Sequence, residues 1–202
     1  MKLYFSPGAC SLSPHIILHE SGLPHTIEKV DLRSKTTASG ADYTSINPKG
    51  YVPALETDAG VLLTEGPAIV QYLADLVPAK NLAPAAGSIE RYQLISWLNF
   101  IGTEIHKNYS PLFNPAALDD AKQNARSNLA KRYAYVERML EGRDYLVGTQ
   151  FSVADGYLFV VTNWSGMLKI DLSAFPNLLA FQKRIAARPA VQAAMKAEGL
   201  LD

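Results

Sequence analysis

The sequence predicts a small α/β layer followed by an all-helical region. Three observations carry that expectation. Up to about residue 77, short apolar runs alternate with turn signals. From about residue 87, apolar residues recur at helical spacing. Between these regions, residues 78–86 are rich in Pro, Ala and Gly, as a linker would be. The predicted organisation is an α/β domain at 1–77, a linker at 78–86 and a helical domain at 87–202.

Each element has a local reason. Leu3-Tyr4-Phe5 reads as the first strand and Thr26 to Val30 as the second. Between them, Pro14 suits a first helical turn, His15 to Glu20 continue the helix, and Gly22 stops it. Val52 to Thr57 and Val61 to Thr64 flank Asp58-Ala59-Gly60, which predicts a β-hairpin. Glu65 to Asp75 is a helix with Pro67 early and Pro78 beyond it. The order strand, helix, strand, short helix, hairpin, helix makes one α/β layer.

Farther along, Leu94, Leu98, Ile101 and Ile105 share one face of a helix spanning 92–110. Ala125, Leu129, Tyr133, Val136 and Leu140 do the same over 119–141. Residues 152–168 are apolar nearly all round, which predicts the buried centre of a bundle. Ser152-Val153-Ala154-Asp155 opens that helix as a capping-box variant. Two further helices come last, at Phe175 to Ala187 and Pro189 to Ala197.

Composition removes several function classes. The chain has 202 residues, 19 basic and 19 acidic, so there is no basic excess for nucleic acid. With 48% hydrophobic and 19% charged residues it has the material for a core. Residues 1–77 and 78–202 carry a formal −3 and +3, too weak an asymmetry for a polyanion partner. One cysteine excludes an intrachain disulfide and a multi-cysteine metal site, and points to a reducing compartment. The run Leu3-Tyr4-Phe5 is too short for a signal-peptide core. A membrane span needs about 20 apolar residues, more than the uncharged stretch at 156–168 supplies. A cytoplasmic protein with no membrane or nucleic-acid partner is expected.

Four constellations offer chemistry. Cys10 follows a strand and precedes a helix, where the helix dipole and free amides favour a thiolate. Cys10-x-x-Ser13 has the form of a redox pair lacking its second thiol, able to form a mixed disulfide but not to resolve it internally. A lone cysteine is equally at home as buried packing. In Asn47 to Leu55, a cis peptide before Pro53 would free the N–H and C=O of Val52 for an extended peptide; an ordinary loop proline is the alternative. Glu65 and Gly66 open a helix, so the amide can take a carboxylate and the Glu65 carboxylate an ammonium; simple capping also explains them. Asn99, Thr103 and His106 fall at i, i+4 and i+7, with Glu104 and Lys107 nearby, forming either a polar site stripe or a solvated face.

In order and spacing, Ser6-Pro7-Gly8-Ala9-Cys10-Ser11, the Asn47 to Leu55 run, Leu63-Thr64-Glu65-Gly66 and the Ser152 to Asp155 cap together resemble the glutathione S-transferases. Cys10 with His106 resembles their bacterial beta class, over essentially the whole chain. The resemblance implies a thioredoxin-like domain, then an all-α domain, in a homodimer, with glutathione as co-substrate and no metal. It implies Pro53 as a cis proline, Val52 pairing with the cysteinyl backbone, and Glu65 with Gly66 holding the γ-glutamyl end. Relatives mostly have serine after that acid, so Gly66 keeps the amide and lacks the hydroxyl. It further implies Lys35 near the glycyl carboxylate, Tyr51 beside Val52, and Cys10 facing the sulfur with Ser11 and His106 as helpers. Asn99, Thr103, Glu104, His106 and Lys107 would border the site from the helical domain, some across a dimer interface. Tyr4 remains a possible donor.

The implied activity is conjugation of glutathione to hydrophobic electrophiles, in detoxification. Leu112, Phe113, Trp164 and Met167 are candidates for lining the electrophile's place, or else core packing. A thiol transferase or reductive dehalogenase working through a Cys10 mixed disulfide is the alternative, and a non-catalytic binding protein the third.

Overall fold

The computed structural model describes Met1–Leu201. The chain forms two compact units, one of Met1–Leu82 with the segment from Ala187 onward, the other Ala83–Ala186.

In the first unit, β1 (Lys2–Phe5), α1 (Leu12–Ser21), β2 (Thr26–Asp31), β3 (Thr36–Thr37), α2 (Tyr43–Ile46), β4 (Ala54–Glu56), β5 (Leu62–Thr64) and α3 (Gly66–Asp75) succeed one another. The sheet order is β3-β2-β1-β4-β5. β1 and β2 are parallel, with Leu3 opposite Ile27. A parallel pair needs a crossover, and α1 supplies it. The other neighbours are antiparallel, with Leu3 opposite Leu55 and Leu55 opposite Leu63. Leu3, Ile16, Ile17, Leu55, Ile69 and Leu73 are fully buried between the sheet and its helices. α1 ends at the glycine that the sequence points to: Gly22 takes a left-handed φ of 73° and its N–H reaches the Leu18 carbonyl. The short β3 has no sequence signal, because two residues carry no periodicity.

The second unit contains α4 (Ile89–Phe100), α5 (Ser110–Phe113), α6 (Asp119–Met139), α7 (Val153–Met167) and α8 (Pro176–Ala186). The predicted apolar stripes are its core: Leu94, Leu98, Ile101, Ile105, Leu129, Tyr133 and Val136 are buried. α7 is buried throughout its first two turns, as expected of a central helix. The hydroxyls of Tyr109, Tyr133 and Ser165 satisfy one another inside the bundle, with Tyr109 to Ser165 at 2.7 Å. Burial pushes both tyrosines above their ordinary range.

The single helix predicted over 92–110 is interrupted. After α4 come a π-helical turn, Ile101–Ile105, and a 3-10 turn, His106–Tyr109. The wider turn keeps both Ile101 and Ile105 buried while redirecting the chain beyond it.

The last helix, α9 (Pro189–Ala197), returns to the first unit and packs on α1. Helical periodicity at 189–197 predicts the helix but not its partner. Arg188 gives Glu20 a two-pronged ion pair at 2.6 and 3.0 Å. Glu198 meets His15 at 2.8 Å.

Asp155 anchors the start of α7. Its fully buried carboxylate accepts the Ser152 N–H (2.8 Å), the Ser152 hydroxyl (2.7 Å) and the Leu146 N–H (2.8 Å). Burial pushes its pKa up to about 6 despite those donors. Asp155→Ala orphans three buried donors and should cost about 2–3 kcal/mol, lowering Tm by about 5–10 °C. Thermal and urea denaturation check this; a Tm shift below about 1 °C would contradict the assigned role.

Candidate functional site

The loop from Ser6 to Ser11 sets Cys10 just before α1. The loop is tightly tied. Ala9 N–H reaches Ser6 O at 3.0 Å, and Leu12 N–H reaches Ala9 O at 3.0 Å. Ser11 is fully buried; its hydroxyl accepts the Ser6 N–H and donates to the Ser6 carbonyl. That hydroxyl is therefore spent on shaping the loop. Gly8, at φ 69°, gives its N–H to Glu198 at 2.9 Å. Cys10 is left half-buried, its thiol donating to the Val52 carbonyl at 3.3 Å.

The Val52–Pro53 peptide is cis, and β4 begins immediately afterwards. Val52 O takes the Cys10 thiol, while the Val52 N–H has no acceptor among the described residues. Tyr51 just before it is held by its carbonyl, which accepts from Tyr43 Oη (3.1 Å) and Asn47 Nδ2 (2.8 Å). Lys35 takes a left-handed φ of 59° and its Nζ folds onto the Gly50 carbonyl at 2.6 Å. The segment 50–53 is thus bordered by a thiol and an ammonium.

Glu65 caps α3 in an unusual way. Its φ of 68° is left-handed, a conformation that costs a non-glycine residue about 1–3 kcal/mol. Its carbonyl accepts from the Ala68 and Ile69 N–H groups, but its side chain makes no cap bond to the helix. The exposed carboxylate instead receives Lys49 Nζ at 2.5 Å and the Tyr51 hydroxyl at 2.9 Å. Those hydrogen bonds raise the pKa of both donors. Gly66 is the first residue of α3, and a Cβ there would lie 3.8 Å from the Pro53 ring, an ordinary contact. Sequence reasoning does not single out Lys49, although it lies in the same 47–55 run; a cation there looks like any solvated lysine.

The first unit therefore brings Cys10, Lys35, Tyr51, Val52, Pro53, Glu65 and Gly66 into one set of linked contacts. Tyr4 stands apart chemically: it is buried, its ring packs on Tyr43 and its hydroxyl donates to Glu56 at 3.3 Å. Burial raises its pKa further, so it remains a neutral phenol.

In the second unit, the π turn undoes the single polar face expected from spacing. The Asn99 and Thr103 side chains bond carbonyls of their own helix, those of Ile95 and Asn99. Glu104 pairs with Arg132 at 2.6 Å and Lys107 is exposed. His106 instead turns inward: Nδ1 lies 2.7 Å from the Tyr157 hydroxyl and its ring meets Trp164 edge-on at 5.0 Å. Burial, then Lys107, lowers its pKa to about 4, so it is a neutral imidazole at pH 7. Trp164 also meets Phe113 and Tyr109, making an aromatic cluster; Phe113 is partly exposed and Met167 largely so.

Comparisons with known proteins fit this arrangement. The family model "Glutathione S-transferase, N-terminal domain" matches residues 8–76, and "Glutathione S-transferase, C-terminal domain" matches residues 100–189. Glutathione S-transferase GstA of Escherichia coli O157:H7 is 48% identical over 200 residues, covering 99% of this chain and 100% of that one. A sphingomonad glutathione S-transferase solved in complex with glutathione is 51% identical over 100% of both chains, with a TM-score of 0.96. The bacterial beta class glutathione S-transferase of Sphingomonas chungbukensis is 49% identical over 100% of both chains, with a TM-score of 0.97. With Cys10 poised at a helix start beside a cis proline, and with matches spanning both units, this chain belongs to the glutathione S-transferase family and is an enzyme of that kind.

Proposed function

We propose that the protein binds glutathione on its first unit and transfers the thiolate to hydrophobic electrophiles, as a homodimer acting in detoxification. One observation carries this reading. Among the described residues the Val52 N–H has no acceptor, while the Val52 carbonyl touches the only thiol of the chain. An extended peptide pairing with Val52 would thus lay its own sulfur beside Cys10. The sphingomonad relative solved with glutathione supports the choice of peptide.

Each end of the tripeptide has a matching group. Glu65 takes the γ-glutamyl ammonium, exchanging part of its contact with Lys49 and Tyr51. The Gly66 amide, at the start of α3, takes the γ-glutamyl carboxylate. Lys35 leaves the Gly50 carbonyl for the glycyl carboxylate. Cys10 then donates from its thiol to the glutathione sulfur instead of Val52 O and favours the thiolate. Ser11 acts only by holding the loop. In the helical unit His106 is a neutral hydrogen-bonding group, and Asn99, Thr103, Glu104 and Lys107 are that unit's polar candidates. With an aryl halide, the sulfur–carbon bond forms, the halide leaves with the bonding electrons, and the thiol proton passes to solvent.

The place of Cys10 just before α1, where the helix dipole favours a thiolate, also supports a second activity. There the Cys10 thiolate attacks a glutathionyl mixed disulfide, expelling the other thiol; a second glutathione attacks the Cys10 adduct and leaves as glutathione disulfide.

These roles have measurable consequences. Glu65→Ala should raise the Kd for glutathione by about tenfold or more, the value of a lost charged hydrogen bond; calorimetry with unchanged affinity would refute the site. Cys10→Ala should abolish mixed-disulfide reduction and leave part of the aryl-halide conjugation, so survival of both activities unchanged would remove Cys10 from the mechanism. Because His106 is neutral down to about pH 4, its protonation should put no break in the kcat/KM profile between about pH 5 and 8. A break near the ordinary value of 6.5 that disappears in His106→Asn would overturn the neutral role.

A further inference from the structure

The first unit holds a second group of chemical side chains that glutathione binding does not use. His15 and His19 are one turn apart on the same face of α1. The helix then stops at Gly22, and the chain turns back through Leu23 and Pro24 so that His25, just before β2, joins them. The rings stand 5.1 Å (His15–His19), 5.2 Å (His19–His25) and 6.0 Å (His15–His25) apart. One ring nitrogen from each lies within 4.8 Å of the other two.

The protonation pattern suits ligation. His15 Nδ1 is 2.8 Å from the buried Glu198 carboxylate, so it carries the proton and leaves Nε2 basic. His25 Nδ1 is 2.8 Å from the Leu23 carbonyl, an acceptor only, so here too Nε2 is left basic. His19 Nε2 is buried with no hydrogen-bond partner among the described residues, an unusual state for such an atom. A carboxylate or carbonyl behind a ligating imidazole is the support that metal-bound histidines ordinarily have.

We propose that His15, His19 and His25 bind one divalent transition-metal ion, Zn2+ being the natural probe. Zinc takes three imidazoles at about 2.0–2.1 Å with a fourth tetrahedral position for water. The three nitrogens, already within 4.8 Å of one another, would have to close in on the ion, His19 and His25 being half-buried. The bound ion would join α1 to the start of β2 and, through Glu198, to the C-terminal segment. Its effect is on the cohesion of the first unit, and none of its three ligands belongs to the glutathione site.

The test uses untagged, chelator-treated full-length protein, titrated with ZnCl2 in a calorimeter and with Co2+ in a spectrophotometer. Wild type should bind one Zn2+ per chain at micromolar Kd or tighter, and show the strong visible bands of four-coordinate Co2+. Saturating Zn2+ should raise Tm by about 5 °C. His19→Gln and His25→Gln should each weaken binding by about tenfold or more and lose the cobalt bands, while Cys10→Ala binds as wild type and conjugation by metal-free His25→Gln is unchanged. No binding by wild type, or equal binding by the His25→Gln variant, would overturn the proposal, leaving a packed histidine cluster. Should His19→Gln fail to fold, His25→Gln alone decides.

Discussion

One buried carboxylate organises the first unit. Glu198, whose side chain is wholly inaccessible, gives one oxygen to the Gly8 amide and the other to His15. A buried charge is tolerable only when its lone pairs are this well occupied. Three things hang on the arrangement. The loop carrying Cys10 is fixed at Gly8, α1 is fixed at His15, and the chain from Ala187 onward is part of this unit. Removing the carboxylate would free the loop amide and leave the imidazole unsupported together, so the thiol's placement and the histidine cluster share one anchor.

The proposed tripeptide site is built from groups that are already occupied but easily exchanged. Val52 O holds the thiol, Gly50 O holds Lys35, and Glu65 holds Lys49 and Tyr51. Each is a polar contact whose donor or acceptor a ligand group can take over. The strained backbone at Glu65 fits this picture: its φ of 68° accompanies a carboxylate that pairs with Lys49 and Tyr51 rather than capping its own helix. Local strain of this kind persists where the surroundings enforce it and function uses it.

Much of the molecule is legible locally. The strand–turn–helix setting of Cys10, the hairpin around Asp58–Gly60 and the helix start at Glu65–Gly66 each depend on a few adjacent residues, which is where turn and cap chemistry speaks clearly. Contacts set by tertiary packing are not. The tie between His15 and Glu198 spans 183 positions and has no local mark. The π turn at Ile101–Ile105 looks, in sequence, like uninterrupted helix, so Asn99, Thr103 and His106 share a face by spacing that the structure divides. Ser11 reads as a helper to the thiol, yet its buried hydroxyl closes the loop beneath it. His15 and His19 stand at i, i+4 on α1, but His25 joins them only through the turn after Gly22.

The most direct measurement is a crystal structure of the protein with reduced glutathione. The account predicts the cysteinyl backbone paired with the Val52 N–H, the γ-glutamyl end at Glu65 and Gly66, and the ligand sulfur within hydrogen-bonding reach of Cys10 Sγ. A tripeptide bound elsewhere, or bound here with its sulfur turned away from Cys10, would contradict it.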